Sequence, residues 1–130
     1  MAVNKSVLAF KKLTDDLQKE IHDLAVDELN RQADLLIDAM KQVAPKGETG
    51  DLEVSIRKLP GDTDTIVRVV AGGRLTTEEG DYDYARAAEF GTTNMAARPF
   101  FFPTYRLMKK KMRSTMKRKI TASIKKRSAE

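Results

Sequence analysis

Between Lys5 and Val43 the chain contains neither proline nor glycine, and its apolar residues recur at helical steps. Leu13, Leu17, Ile21, Leu24, Leu29, Ala33, Leu36, Met40 and Val43 follow one another at intervals of three and four, with one of five. Charged side chains fill most of the intervening positions, the pattern of an amphipathic helix with one face against a core. Unbroken over 5–43, such a helix runs about 58 Å at ~1.5 Å per residue. That length outruns the core of a 130-residue chain, so one end is expected to project and meet another subunit. Thr14-Asp15-Asp16 has the composition of a helix start and marks the one candidate joint.

After this helix, Ala44-Pro45-Lys46-Gly47-Glu48-Thr49-Gly50 is a stop and turn. Leu52-Glu53-Val54-Ser55-Ile56-Arg57 alternates apolar and polar, which predicts a half-buried strand. Pro60 to Asp64 turns the chain, and the β-branched run Thr65–Ala71 is expected to pair back, giving a hairpin over about 51–72. A lone hairpin is marginal in water, so it must pack on the helices or join a neighbour's sheet. The polar stretch from Gly72-Gly73 to Asp81 reads as a loop, and residues 83–90 as a short helix closed by Gly91. Pro99 keeps residues 92–98 irregular, and a last helix covers about 99–126, with Pro103 tolerated in its first turn. The expected architecture is one α+β domain spanning 1–130, with a small antiparallel sheet between two long helices. Along the last helix Met108, Met112, Met116, Ile120 and Ile124 fall at every fourth residue. A step of four overshoots a turn by about 40°, so this stripe winds off any flat surface. Either the helix touches its own domain at one end and a neighbour at the other, or its last turns fray.

Charge is unevenly spread. From Arg98 onward twelve Lys and Arg face one acid, giving +11, while residues 1–97 hold twelve bases and eighteen acids, giving −6. Such a split favours an anionic partner for the C-terminal part or self-association of opposite charges. The absence of cysteine excludes disulfides and thiolate metal sites. No stretch approaches the ~20 apolar residues of a membrane span, and the start lacks the apolar core of a secretory signal, so a cytosolic origin is expected.

A search for chemistry finds no constellation. His22 is the only histidine and sits in a charged helical stretch. Asp15, Asp16, Glu20, Asp23, Asp27 and Glu28 read as a solvated helix face. Glu78-Glu79 and Asp81 with Asp83 flank a loop without EF-hand spacing. No catalytic residue, metal site or cofactor site is assigned, and a non-enzymatic role is expected. The basic residues Lys109, Lys110, Lys111, Arg113, Lys117, Arg118 and Lys119, with Lys125-Lys126-Arg127 beyond, could neutralise phosphates. No aromatic residue follows Tyr105, so base stacking is not supported. This basic face is expected to be solvated or to meet an acidic partner surface; if it meets DNA, the contact is with the backbone and reads no sequence.

One ordered set of residues carries a resemblance. Ala44-Pro45, then Thr49-Gly50-x-Leu52-x-x-Ser55-Ile56, is followed by Tyr84-Ala85-x-x-x-Glu89-Phe90-Gly91-Thr92, and then by Ala97-x-Pro99-Phe100 and Pro103. In this order and spacing the set resembles the head–tail joining proteins of long-tailed siphophages, also labelled neck, tail-completion or minor tail proteins. The motif covers about residues 44–103, and the layout covers the whole chain. The lysine-rich C-terminal helix departs from the family pattern. The resemblance implies a structural virion protein, located at the neck or tail top and assembling in the host cytoplasm. It would work as a homo-oligomeric ring, hexameric by preference, between the connector or head-closure proteins and the tail. A tail terminator ring and a non-specific DNA-binding protein are the alternatives. Among the motif residues, Gly50 and Gly91 are expected to supply unusual backbone, and Pro45 and Pro99 to fix direction. Tyr84, Phe90 and Phe100–Phe102 are expected to lock the middle segment onto the hairpin. Glu89, amid Ala88, Phe90 and Gly91, is expected to need a basic partner on its own or the next subunit. Residues 73–83 and 92–98 are the candidate partner-contact loops.

Overall fold

The computed structural model describes residues 5–46, 50–73 and 84–128. In chain order they form α1 (Lys5–Val43), α2 (Asp51–Ser55), β1 (Arg57–Pro60), β2 (Val67–Val70), α3 (Tyr84–Phe90) and α4 (Phe102–Ser128). This is the expected α+β layout of a long helix, a small antiparallel sheet, a short helix and a long C-terminal helix.

α1 is continuous for 39 residues, and nothing breaks it at Thr14. That hydroxyl donates back to the Phe10 carbonyl at 2.9 Å, the use Thr finds inside a helix rather than at a cap. The helix stops at Val43, where Ala44 N–H still bonds Met40 O and the buried Pro45 ends the ladder.

Residues 51–55 depart from the expected strand and form the helix α2. The alternation of Leu52, Val54 and Ile56 is not the pattern that is buried: Leu52, Ser55 and Ile56 are buried while Val54 is 66% exposed, a spacing of three and four. Over so short a run both periods fit the same residues, and local chemistry decides. Gly50 precedes the helix at φ 70°, Asp51 and Glu53 lie in its first turn, and Ser55 Oγ donates to Leu52 O at 2.6 Å. The hairpin is correspondingly shorter than 51–72. Its antiparallel register runs from Arg57↔Val70 to Pro60↔Val67, and Gly61 N–H to Ile66 O closes the turn at 2.9 Å.

The hairpin lies against α1, tied by Lys58 to Asp34 at 3.0 Å and by His22 to Asp64 at 2.7 Å. It is not held between the long helices, because α1 and α4 meet directly. They run antiparallel: Lys119 pairs with Glu28, and Arg127, eight residues on, pairs with Glu20, eight residues back. The core sits at one end of this pair, where Leu36, Ile37, Met40, Leu52, Ile56, Ala85, Ala88 and Phe100 come together. Met108 and Met112 pack on that core, whereas Ile124 is 41% exposed. The methionine stripe therefore winds off the domain as its four-residue step requires. Lys119 and Arg127 replace it on the side facing α1.

Candidate functional site

The motif residues converge although they come from three separated stretches. Leu52, Ser55, Ala85 and Phe100 are all buried, at 4% exposure or less. Ser55 Oγ, besides bonding Leu52, accepts Gly72 N–H at 3.0 Å and so joins α2 to the end of β2. Tyr84 packs on the cluster's edge, and the buried Pro45 directly follows Ala44, one of its members. Gly91 has φ 78°, and a Cβ there would lie 2.9 Å from Ala97 N. Only glycine fits such a left-handed position under a crossing strand of backbone. Gly91 N–H bonds Ala87 O, ending α3, and Thr92 then bridges to Met95. Residues 92–98 thus form a tight turn, mostly exposed. Arg98 N–H fastens its far end to Ala88 O at 2.7 Å, and the exposed Pro99 leads on to Phe100.

Glu89 sits at the centre of this junction, and its partner is not a basic residue. Its Oε2 accepts the N–H groups of Phe100 and Phe101, both at 2.9 Å, and its Oε1 accepts that of Phe102 at 3.0 Å. These amides open α4, whose first turn contains no acid of its own. The carboxylate of α3 thus supplies from outside the acceptor and negative charge that a helix start favours. Of the aromatic group, Phe100 is buried and Phe101 partly so. Phe90 and Phe102, at 66% and 45% exposure, lean on each other 6.2 Å apart at the surface. Of these residues, Phe100 belongs to the core cluster and Tyr84 and Phe101 pack against it, while Phe101 and Phe102 line a cleft together with Val67 and Val69 of the hairpin. Phe90, the last residue of α3, is the more exposed of the outer pair.

A second polar centre, not anticipated from the sequence, lies in the α1/α4 seam. Glu28, 5% exposed, accepts Gln32 Nε2 at 2.8 Å and Arg31 at 3.2 Å on one oxygen. Its other oxygen takes Lys119 Nζ at 3.0 Å. The hydrogen bond from Gln32, then those with Lys119 and Arg31, hold its carboxyl below the usual range against the opposing pull of burial. Lys119 is therefore a seam residue, which corrects its place in the expected anion-binding face. Lys109 lies over the Tyr105 ring at 5.9 Å. Lys110, Lys111, Arg113, Lys117 and Arg118 remain exposed along α4.

Beyond the seam, α1 continues alone. Arg127 near the end of α4 meets Glu20, and the first four turns of α1, about 22 Å at 1.5 Å per residue, extend past it, with their large apolar side chains mostly exposed among the described residues. There Val7, Leu8, Phe10 and Leu13 are 57%, 52%, 70% and 57% exposed. Nearer the core, α1, β2 and α4 enclose an open apolar cleft of about 420 Å³ lined by Leu29, Leu36, Val69, Phe101, Met112 and Met116, among others. Among the described residues no three His, Asp or Glu side chains could hold a metal ion, and no helix is long and apolar enough to cross a membrane. His22, with Asp64 its hydrogen-bond partner, is 44% exposed and joins a helix to a turn. The acidic loop residues 78–83, Thr49 and most of the contact loop 73–83 lie outside the described residues. No known protein family, characterised protein or solved structure matches this chain.

Proposed function

We propose that the chain is a non-catalytic structural subunit of a long-tailed phage, one of a ring that joins the DNA-filled head to the tail. The observation that carries this reading is the projecting start of α1. Four large apolar side chains in about two turns, all more than half exposed, form a surface that in water calls for a protein partner. The motif resemblance says which kind of assembly, and the tight junction around Glu89 gives the rigid body such a ring needs. The connector or head-closure proteins and the tail are then its neighbours, with a hexamer the favoured ring. Electron microscopy of lysates from the parent phage lacking this gene tests the reading. DNA-filled heads beside complete, unattached tails are expected. Tails of uncontrolled length would assign the chain to the tail terminator ring, and intact joined virions would refute a structural role.

Non-specific DNA binding is the second reading, favoured by the exposed cations of α4. It predicts affinity for duplex of any sequence that falls steeply with salt, with a log–log slope near the number of phosphates neutralised.

A further inference from the structure

The outer faces of the two long helices carry opposite charges at the same spacing. On α1, Asp16, Glu20, Asp23 and Asp27 follow at steps of four, three and four, and all are exposed. On α4, Arg106, Lys110, Arg113 and Lys117 follow at steps of four, three and four, and all are exposed too. Each stripe spans eleven residues of rise, about 16 Å at 1.5 Å per residue, so the two match in length as well as in sign. The pattern reads the same in both directions, so parallel and antiparallel pairing align equally well.

Neither stripe can be neutralised by the other within one molecule. At about 100° per residue, the acidic stripe is centred about 110° around α1 from Glu28 and about 170° from Leu36, which face the interior, with Glu20 on its edge nearest the seam. The basic stripe is similarly turned from Met112 and Lys119 on α4. Of these acids, among the described residues, Glu20 alone has an ion-pair partner, Arg127, and it keeps 53% of its side chain exposed. Arg106 donates its Nε to the Phe102 carbonyl at a long 3.3 Å and is exposed. Further along α1, Asp34 is already taken by Lys58 of the hairpin, so the available acidic stripe ends at Asp27.

We infer that copies of this chain associate head to tail, the acidic stripe Asp16–Asp27 of α1 in one copy lying along the basic stripe Arg106–Lys117 of α4 in the next. The occupant is a second copy because the same chain presents both commensurate stripes. The contact is heterologous because they lie on different helices and, Glu20 with its bridge to Arg127 apart, are turned away from the shared seam. Repeated heterologous contacts close a ring when the rotation permits. This inference rests on the ring reading and names the surface through which the ring forms. Exposed charges contribute orientation and specificity more than affinity, so the stripes set the register of the contact while apolar surface supplies the rest.

The test is a charge swap followed by sedimentation of the purified full chain. Variant A carries Asp23→Lys and Asp27→Lys; variant B carries Lys110→Glu and Lys117→Glu. The wild type is expected to associate at low ionic strength. It should weaken about tenfold or more as salt rises from about 0.1 M to about 1 M, where the screening length drops from about 10 Å to about 3 Å. Each variant alone is expected to associate roughly a hundredfold more weakly, since like charges then face each other. An equimolar mixture of A and B should regain the wild-type assembly, because each reversed stripe meets the other variant's opposite stripe. That rescue also shows that both variants are folded. A wild type that stays monomeric at all salt concentrations overturns the inference, and so does assembly that survives either reversal. Loss of duplex binding in variant B with assembly unchanged overturns it in favour of DNA. The deletion phenotype in lysates is independent of all these outcomes, so failure of this contact and failure of the joining role are told apart.

Discussion

Replacing Glu89 by alanine is expected to unfold the junction rather than disturb assembly alone. Three amides, those of Phe100, Phe101 and Phe102, end on its two oxygens at 2.9–3.0 Å. Hydrogen bonds to a charged group contribute about 1.5–3 kcal/mol each, which sets an upper limit near 4.5–9 kcal/mol. The limit is not reached. The Phe101 and Phe102 amides are only part-buried and regain water, while the Phe100 amide, on a residue 1% exposed, does not. One stranded amide costs about 1–3 kcal/mol, and losing the charge at the start of α4 costs up to about 1 kcal/mol more. With the lost packing of the side chain, the total is about 3–5 kcal/mol, against roughly 5–15 kcal/mol for a whole domain. The melting temperature should fall by about 10 °C or more. Glu89→Gln keeps one acceptor, which can serve Phe100 and Phe101 while its amide turns to water near Phe102; it should lose only about 1–2 kcal/mol. Urea unfolding followed by far-ultraviolet circular dichroism measures both. A Glu89→Ala protein within about 0.5 kcal/mol of wild type that nevertheless fails to assemble would refute this account. It would restore a partner for Glu89 on another subunit.

Three other perturbations follow from the same structure. Gly91→Ala forces a Cβ to 2.9 Å from Ala97 N at φ 78° and should destabilise by about 1–3 kcal/mol in thermal melts. The lowered carboxyl of Glu28 contributes stability at neutral pH that is lost as pH falls below about 4.3, the ordinary value, through its folded-state value. Glu28→Gln should flatten that part of the stability–pH curve and cost about 1–2 kcal/mol at pH 7. A curve of unchanged slope would refute the seam's role in acid sensitivity. Phe10→Asp with Leu13→Asp should leave monomer stability within about 0.5 kcal/mol, yet abolish incorporation into joined virions, as counted by microscopy.

The parts of this fold legible in the sequence were those with long, single-period patterns. α1 begins and ends where its unbroken periodicity and Pro45 place it, and Gly91 closes α3 as expected. α2 was misread because five residues hold too little periodicity to separate helix from strand, and Gly50 with the Ser55 back-bond tipped the balance. The role of Glu89 was only half legible. A carboxylate among small and apolar residues announces a partner, but three backbone amides eleven to thirteen residues away leave no mark in composition. Glu28 was hidden for the opposite reason, as one of many acids on α1. Its burial depends on where α4 lies, and no local pattern states that. The charge stripes were present in the sequence as a lopsided total. Their commensurate spacing acquires meaning only once the fold turns both away from the seam.

The seam itself determines how much of α1 is left for a partner. Between two helices whose contact is otherwise apolar, sliding by a heptad changes little hydrophobic area, so a polar pair must choose the register. Moved one heptad toward the start of α1, Lys119 would face Ile21 and Arg127 would face Leu13, and Glu28 would keep only Arg31 and Gln32 of its own helix. Moved the other way, Lys119 would face Leu35. The first slip takes Lys119 from the buried Glu28 and sets both cations against apolar side chains, while the second moves Lys119 from Glu28 onto a leucine; each loses the observed Lys119–Glu28 bond. The Glu28–Lys119 and Glu20–Arg127 pairs therefore stop α4 where they do, short of Leu13 and Phe10. The projecting apolar end is a consequence of that register: a longer or shifted α4 would cover the very surface on which the proposed function depends.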